Sequence, residues 1–284
     1  MRRKVLIVGI DGARADVMAR VAARPRSALG ALARRGAWSF DARTVPITQS
    51  APAWATILTG GGIERHGVRD NSFHPNTLDA CPHFATRLRR TLGARKTASI
   101  VNWAPINQHL ADARDVEVRE EYPADARVCA RAVQVLERDD DLDALFVHLD
   151  AVDAWGHRAC YSRWSPLYRW AAVRADRMLG AMTAAVARRR HRRDEDWLVI
   201  TASDHGGRWF GHGSDDEANQ RVHLIVAGDR VRPRRLAGAP SVADVAVSAL
   251  AHLAETPDPN WQLDGSAHGP NGSSHRIDVA SDSR

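Results

Sequence analysis

A chain of 284 residues, 44% hydrophobic and 26% charged, can bury one large core, and it has no apolar run of the roughly 20 residues that span a bilayer as a helix. Its composition is that of a soluble globular protein. The net charge of +6, with arginine supplying all but two of the 40 basic residues, admits nucleic acid, an anionic membrane or an anionic small substrate as partner.

The chain opens on MRRK, a basic flank that invites a signal-peptide reading. The apolar run behind it is only about six residues and carries no small-residue cleavage site. It reads instead as a first strand over 4–10, which sets the expectation of a cytoplasmic protein. Helical patterns follow over 14–22, 27–35, 52–59 and 82–92, then a strand over 97–102 and a helix over 124–138. Strands over 143–149, 197–201 and 222–228 alternate with helices over 164–190 and 241–253. The strands are near-continuously apolar, as in a parallel sheet with both faces covered. This alternation predicts an α/β fold, a three-layer αβα sandwich with a mostly parallel central sheet. One domain over 1–265 is expected, followed by a polar, Gly/Ser-rich disordered tail over 266–284. The arginine run at 187–193 ends a helix and reads as a solvated terminus, not a nucleic-acid contact. Cys81, Cys129 and Cys160 are odd in number and widely spaced, which fits reduced thiols.

In open α/β sheets, ligands collect beyond the carboxyl ends of the strands. Asp11 follows the first strand, Asp150 and Asp153 follow DALFVHL, and Asp204 with His205 follows WLVIT. Three strands therefore deliver carboxylate or imidazole groups to one edge. Such groups side by side are good ligands for a divalent cation. In HLDAVDAWGH, Asp153 and His157 stand four apart, a spacing that brings both to one point on a helical turn. Asp150 and His148 compete for the same role, and spacing excludes neither. In TQSAPAWATILTG, Pro52 and Gly60 bracket a short helix that puts Ser50 at its N-terminus. There Ser50 is either an N-cap or a nucleophile facing an anion. In SDHGGRWFGHG, Asp204, His205 and His212 share a glycine-rich loop whose backbone can approach closely.

GIDGARAD, SAPAWATILTG, DAWGH and SDHG…GHG, in that order, resemble the motifs of the alkaline phosphatase superfamily, and most of all its type I phosphodiesterase/nucleotide pyrophosphatase branch. The resemblance runs over 4–265, including WQLDG near its end. It implies two divalent metal ions, zinc first, with manganese, magnesium or iron as alternatives. Asp11, Ser50, Asp204 and His205 match one site; Asp153, His157 and His212 match the other, favouring Asp153 over Asp150. Two divalent ions would balance three carboxylates and a serine alkoxide. The implied reaction is hydrolysis of phosphoric esters through a phospho-serine intermediate on Ser50, with the two ions clamping an in-line displacement.

The match thins around the substrate. Ala53 stands where many family diesterases carry an asparagine that contacts a non-bridging phosphate oxygen. Asn71 and Asn102 are candidate replacements, and Arg14 is a further candidate phosphate contact. With a near-neutral bimetal core and no evident extra cation, diesters or pyrophosphates are favoured over monoesters. Trp54, Trp103, Trp155 and Trp209 neighbour the motifs and would either stack on a base or pack in the core. The expected partner is a phosphorylated small molecule or nucleotide, with no stable nucleic-acid binding and no membrane. The alternatives are a phosphomonoesterase acting on a small metabolite and, outside enzymes, a catalytically silent or anion-binding relative. A sulfatase is disfavoured because the arginine of the CxPxR or SxPxR pattern is missing after Pro52.

Overall fold

The computed structural model describes residues 1–93, 95–254 and 258–270. Eight strands form one sheet: β1 (Arg2–Ile10), β2 (Gly36–Arg43), β3 (Thr97–Val101), β4 (Val118–Glu121), β5 (Ala144–Leu149), β6 (Glu195–Ala202), β7 (Arg221–Gly228) and β8 (Arg234–Arg235). The helices are α1 (Ala15–Ala22), α2 (Ala28–Arg35), α3 (Ser50–Thr59), α4 (Ile63–His66), α5 (Phe84–Leu92), α6 (Pro105–His109), α7 (Asp125–Arg138), α8 (Ala151–Ala159), α9 (Pro166–Ala187), α10 (Glu217–Gln220) and α11 (Asp244–Ala254).

The strand order is β4-β3-β5-β1-β6-β7-β2-β8. From β4 to β6 every pairing is parallel, and β1 lies at the centre between β5 and β6. The run 222–228 departs from the parallel expectation, because β7 is antiparallel to both β6 and β2. A strand buried on both faces is continuously apolar whichever way it runs, so its composition carries no direction. The mostly parallel sheet stands. The strands β2, β4 and β8 escape sequence reading for a related reason: β2 mixes Ser and Asp with aromatics, β4 is VREE on an edge, and β8 has two residues.

Alternate residues of β1 feed separate cores, as the two-residue strand period requires. Val5 and Ile7 pack with α3, α5 and α11 residues such as Trp54, Leu88 and Leu250. Leu6, Val8 and Ile10 pack with α1, α2, α7 and α9 through Met18, Leu32, Leu136 and Leu179. These are the three layers of the alkaline phosphatase-like sandwich. Local signals set the helix ends. The Ser27 and Ser165 side chains cap α2 and α9, Pro166 opens α9, and Gly60 ends α3 in the left-handed conformation at φ 75°.

The first residues of the expected 266–284 tail make contacts with α11. Ser266 N donates to Asp244 Oδ1 at 2.7 Å, the His268 amide donates to Ser248 Oγ at 3.0 Å, and His268 Nε2 lies 2.7 Å from Asp244 Oδ2. These contacts tie residues 266–268 to α11. Residues 271–284 of the expected tail lie outside the described residues. All three cysteines are free thiols.

Candidate active site

The carboxyl ends of β1, β5 and β6 carry the acidic groups to one edge, and the loop after β6 brings two histidines across them. Asp11 follows β1 directly and is almost wholly buried. Its Oδ2 accepts from Trp54 Nε1 at 3.0 Å and lies 2.9 Å from His148 Nε2. Asp204 Oδ1 accepts the Gly12 amide at 3.1 Å. Asp11 Oδ1 and Asp204 Oδ2 are the oxygens left over; both are buried and have no hydrogen-bond partner. They face one atom, His205 Nε2, at 3.4 and 3.3 Å, and Ser50 Oγ lies 3.3 Å from the same nitrogen. Ser50 is the first residue of α3, as the Pro52–Gly60 bracket anticipates.

Asp153 and His157 lie on α8, with Asp153 Oδ2 3.4 Å from His157 Nε2 and Oδ1 3.8 Å from His212 Nε2. The two imidazoles face each other, Nε2 to Nε2, at 3.2 Å. His205 and His212 stack at 3.7 Å between ring centroids, so the two groups of residues are contiguous. Ligand atoms of Asp153, His205 and His212, and those of Asp11, Asp204 and His205, lie within 4.8 Å of one another. Asp150 goes elsewhere: it groups with Asp11 and His148, away from His157.

The histidine tautomers are dictated by backbone carbonyls. Nδ1 of His205 lies 2.7 Å from Gly206 O, that of His212 2.8 Å from Thr48 O, and that of His157 2.9 Å from Phe210 O. A carbonyl only accepts, so each Nδ1 carries a proton and each neutral ring aims the lone pair of Nε2 inward. Around His205 that lone pair meets two orphaned carboxylate oxygens and a serine oxygen. Around His212 it meets another imidazole lone pair and a carboxylate. Lone pairs converging without protons between them repel, and a cation at each centre reverses the sign of the interaction. The residues present fit two divalent ions.

Titration behaviour tells the same story for the protein alone. Burial, reinforced by the charge of Asp11, pushes the Asp204 carboxyl well above its ordinary range. Burial also works to raise Asp11, but the His148 hydrogen bond and the neighbouring imidazoles hold it down at about 2. For His205, burial opposes the charged form; the carboxylates of Asp204, Asp11 and Asp153 outweigh it and lift the ring to about 9. Asp150 is raised to about 7 by burial and the Asp11 charge. The pocket thus draws protons in place of positive charge.

Two glycines make the close approach possible. Gly12 sits at φ 63°, and a Cβ there would come within 2.5 Å of Asp153 Oδ1. A Cβ on Gly207 would meet the Tyr161 ring at 2.3 Å. Tyr161 is the hydrogen-bond donor to Asp153 Oδ1, and burial followed by the Asp153 charge keeps its hydroxyl protonated. Trp54, Tyr161 and the Thr48 carbonyl orient candidate ligands yet were not singled out for that role in the sequence. Only a local hint existed, the aromatic residues beside the motifs.

The candidate substrate contacts separate. Asn71 Oδ1 accepts the amide of Ala51, next to Ser50, at 2.9 Å. Asn102 instead donates to Asp125 Oδ1 at 2.7 Å, beneath the start of α8. Arg14 is held by Asp16 through Nε and Nη2 and by the Gly207 carbonyl through Nη1. Of the four tryptophans, Trp54 is buried in the core, Trp103 packs against Phe73, Trp155 meets Trp170, and Trp209 stands 67% exposed.

A buried acid-imidazole centre at the carboxyl edge of this sheet, with a serine at a helix N-terminus, defines a hydrolase-type site on an alkaline phosphatase-like fold. The family model for type I phosphodiesterase / nucleotide pyrophosphatase matches residues 5–208. The chain belongs to that family, whose members are phosphoric-ester hydrolases. It is similar to the human ectonucleotide pyrophosphatase/phosphodiesterase family member 7, at 26% identity over 231 residues, covering 72% of this chain and 48% of that protein. The chain thus spans about half the length of this curated relative. Among solved structures it resembles an inactive murine ectonucleotide pyrophosphatase / phosphodiesterase 5 in complex with AMP, with a TM-score of 0.66, 16% identity, and 96% of this chain and 98% of that one covered. A 2-O GAG sulfatase superposes with a TM-score of 0.72 at 14% identity, over 94% of this chain and 73% of that one. At such identities these likenesses establish the fold.

Proposed function

We propose that this chain is a two-metal hydrolase of phosphodiesters or nucleotide pyrophosphates that works through a phospho-serine intermediate on Ser50. The observation that carries the reading is the convergence of the carbonyl-oriented His205 on two buried, partnerless carboxylate oxygens, of Asp11 and Asp204, beside His157 and His212, which are likewise carbonyl-oriented and converge on the half-buried Asp153. Asp11, Ser50, Asp204 and His205 would hold one ion, and Asp153, His157 and His212 the other. When bound, the two ions, zinc first, would neutralise the carboxylates, acidify the serine hydroxyl and stabilise charge on the leaving oxygen.

The chain's own part is orientation. Ser50 Oγ attacks phosphorus in line, the bond to the ester oxygen breaks, and that oxygen departs with the electron pair. Water then attacks the same phosphorus, breaks the Ser50 Oγ–P bond and frees the serine. Asn71, its Oδ1 held by the amide after Ser50, turns Nδ2 to donate to a non-bridging oxygen and takes the role that Ala53 cannot fill. The salt bridge and carbonyls that hold Arg14 leave it orienting the loop, which removes the extra cation that a monoester dianion would want and favours the diester. The AMP complex of the murine structural neighbour supports a nucleotide-type substrate.

The test is turnover of bis-p-nitrophenyl phosphate beside p-nitrophenyl phosphate with added zinc or manganese, with Ser50→Ala as control. Diester preference abolished by the substitution is the expected result. Monoester preference refutes the substrate class, and turnover surviving in Ser50→Ala refutes the serine mechanism.

A further inference from the structure

Away from the catalytic edge, α1 and the start of α9 enclose a groove of about 520 Å³. Arg20, Arg24, Arg163, Arg169, Arg174 and Arg177 line it, and no carboxylate does. None of the six forms a salt bridge among the described residues, although arginines elsewhere on the surface, such as Arg43 and Arg131, are paired with acids and others are not. The C-terminal end of a helix favours cations, which accounts for Arg20 and Arg24 near the end of α1. It does not account for Arg169, Arg174 and Arg177 along α9. Six like charges around one groove repel one another, and the fold obtains nothing visible in return. The floor between them is apolar: Val17, Val21, Trp170 and Val173.

The same flank carries three of the exposed large apolar side chains. Seven large hydrophobic side chains stand exposed among the described residues; apart from Met1 and Leu92 they are Trp164, Leu167, Trp170, Trp209 and Phe210. Trp164 is 70% exposed, Phe210 61%. Trp164, Leu167 and Trp170 lie at or just before the start of α9, with Trp170 meeting Trp155 edge-on at 6.1 Å, whereas Trp209 and Phe210 belong to the loop after β6 that orients His157. Guanidiniums cover two of the rings, Arg163 over Trp164 at 4.9 Å and Arg174 over Trp170 at 4.8 Å.

From this juxtaposition we propose that the α1/α9 flank docks on an anionic phospholipid surface. The groove receives a lipid phosphate headgroup, and Trp164, Leu167 and Trp170 enter the headgroup boundary beside it. Unpaired arginines flanking projecting Trp and Leu are the composition of an interfacial anchor. Single-stranded nucleic acid would match the charge, but the floor offers one stacking ring amid valines, and the projecting side chains would stay in water. No helix of the described residues is long and apolar enough to cross a membrane. The proposed docking departs from the expectation of no membrane partner. The six arginines are scattered over 158 positions (20 to 177) and converge only when α1 lies along α9.

Flotation of the full chain with vesicles tests this without reference to catalysis. The vesicles are phosphatidylcholine alone, or phosphatidylcholine with about a third phosphatidylglycerol. Binding is expected only to the anionic vesicles and should vanish near 0.5 M salt, roughly the range where exposed charges are screened. Each of Arg20→Ala, Arg24→Ala and Arg177→Ala, all exposed, should weaken it about fivefold. Trp164→Ala with Leu167→Ala should weaken it even at low salt, and Arg114→Ala, in a paired arginine elsewhere, should leave it unchanged. Absence of flotation with anionic vesicles, equal flotation with neutral ones, or indifference to the arginine substitutions overturns the proposal. So does displacement from the vesicles by a single-stranded oligonucleotide at lower concentration than by soluble phosphatidylglycerol.

Discussion

At the carboxyl edge of the sheet, three acids and three imidazoles converge, with Asp11, Asp204 and His205 fully inside the protein; along α1 and α9, six guanidiniums and three large apolar side chains converge in the open. The first gathers carboxylates around imidazoles, and the second gathers guanidiniums that form no salt bridge among the described residues. They differ in what holds them. Each acid at the edge is clamped by a fixed donor: Asp11 by Trp54 and His148, Asp204 by the Gly12 amide, and Asp153 by Tyr161 just past the end of its own helix. Among the described residues, the guanidiniums are held only by two aromatic faces. A buried charge needs fixed geometry because water cannot reorganise around it, whereas an exposed one can wait for its partner in solvent. Fixed donors suit the chemistry proposed for the first region, and exposed, clustered guanidiniums suit the docking proposed for the second.

The largest expected effect separates the two regions. Ser50→Ala should lower diester turnover by about 10⁴-fold or more while vesicle flotation is unchanged, read by steady-state kinetics and flotation on one preparation. Loss of both would mean that the regions are not independent. Next comes Asp204→Asn, which keeps the oxygen that accepts the Gly12 amide but removes a like charge beside Asp11. In chelated protein it should raise stability by about 1–3 kcal/mol, and in zinc-loaded protein it should lower it, so the urea-melt difference changes sign with metal. The same sign in both conditions would argue against an ion at Asp204.

A smaller effect is expected from Trp54→Phe. The ring still fills the core beside Phe146, but the Nε1 donor to Asp11 is lost. Zinc affinity in a competition titration should fall about 10–100-fold, because orienting partners of a ligand carry that much. An unchanged affinity would make the Trp54 contact a packing accident. The smallest effect lies on the other flank. Arg20→Ala and Arg24→Ala should shift thermal stability by less than about 0.5 kcal/mol, as expected for exposed charges without partners. A larger loss would mean that these arginines hold the fold after all.

Much of the candidate site was legible because its information is local. A short apolar run followed by Asp, an Asp and His four apart, and Pro and Gly bracketing a helix behind Ser are patterns confined to a few residues. Strand ends place such residues at one edge whatever the rest of the chain does. Spacing alone left Asp150 and His148 open beside Asp153. The structure separates them by turning Asp150 and His148 towards Asp11 and Asp153 towards His157 and His212. The direction of β7, the short edge strands and the anchoring of residues 266–268 were equally invisible, since each depends on pairing across the fold.

What the sequence determined by itself is therefore the set of chemical groups and the layer architecture, through hydrophobic period and the punctuation of strands and helices. What only tertiary structure decided is which atoms face which. Asp11 lost one oxygen to Trp54 and His148, from positions 43 and 137 residues away, and kept the other for the site. Arg20 and Arg177 became neighbours because α1 packs along α9. Contacts between residues that far apart are fixed by packing of whole elements, and no window of sequence contains them.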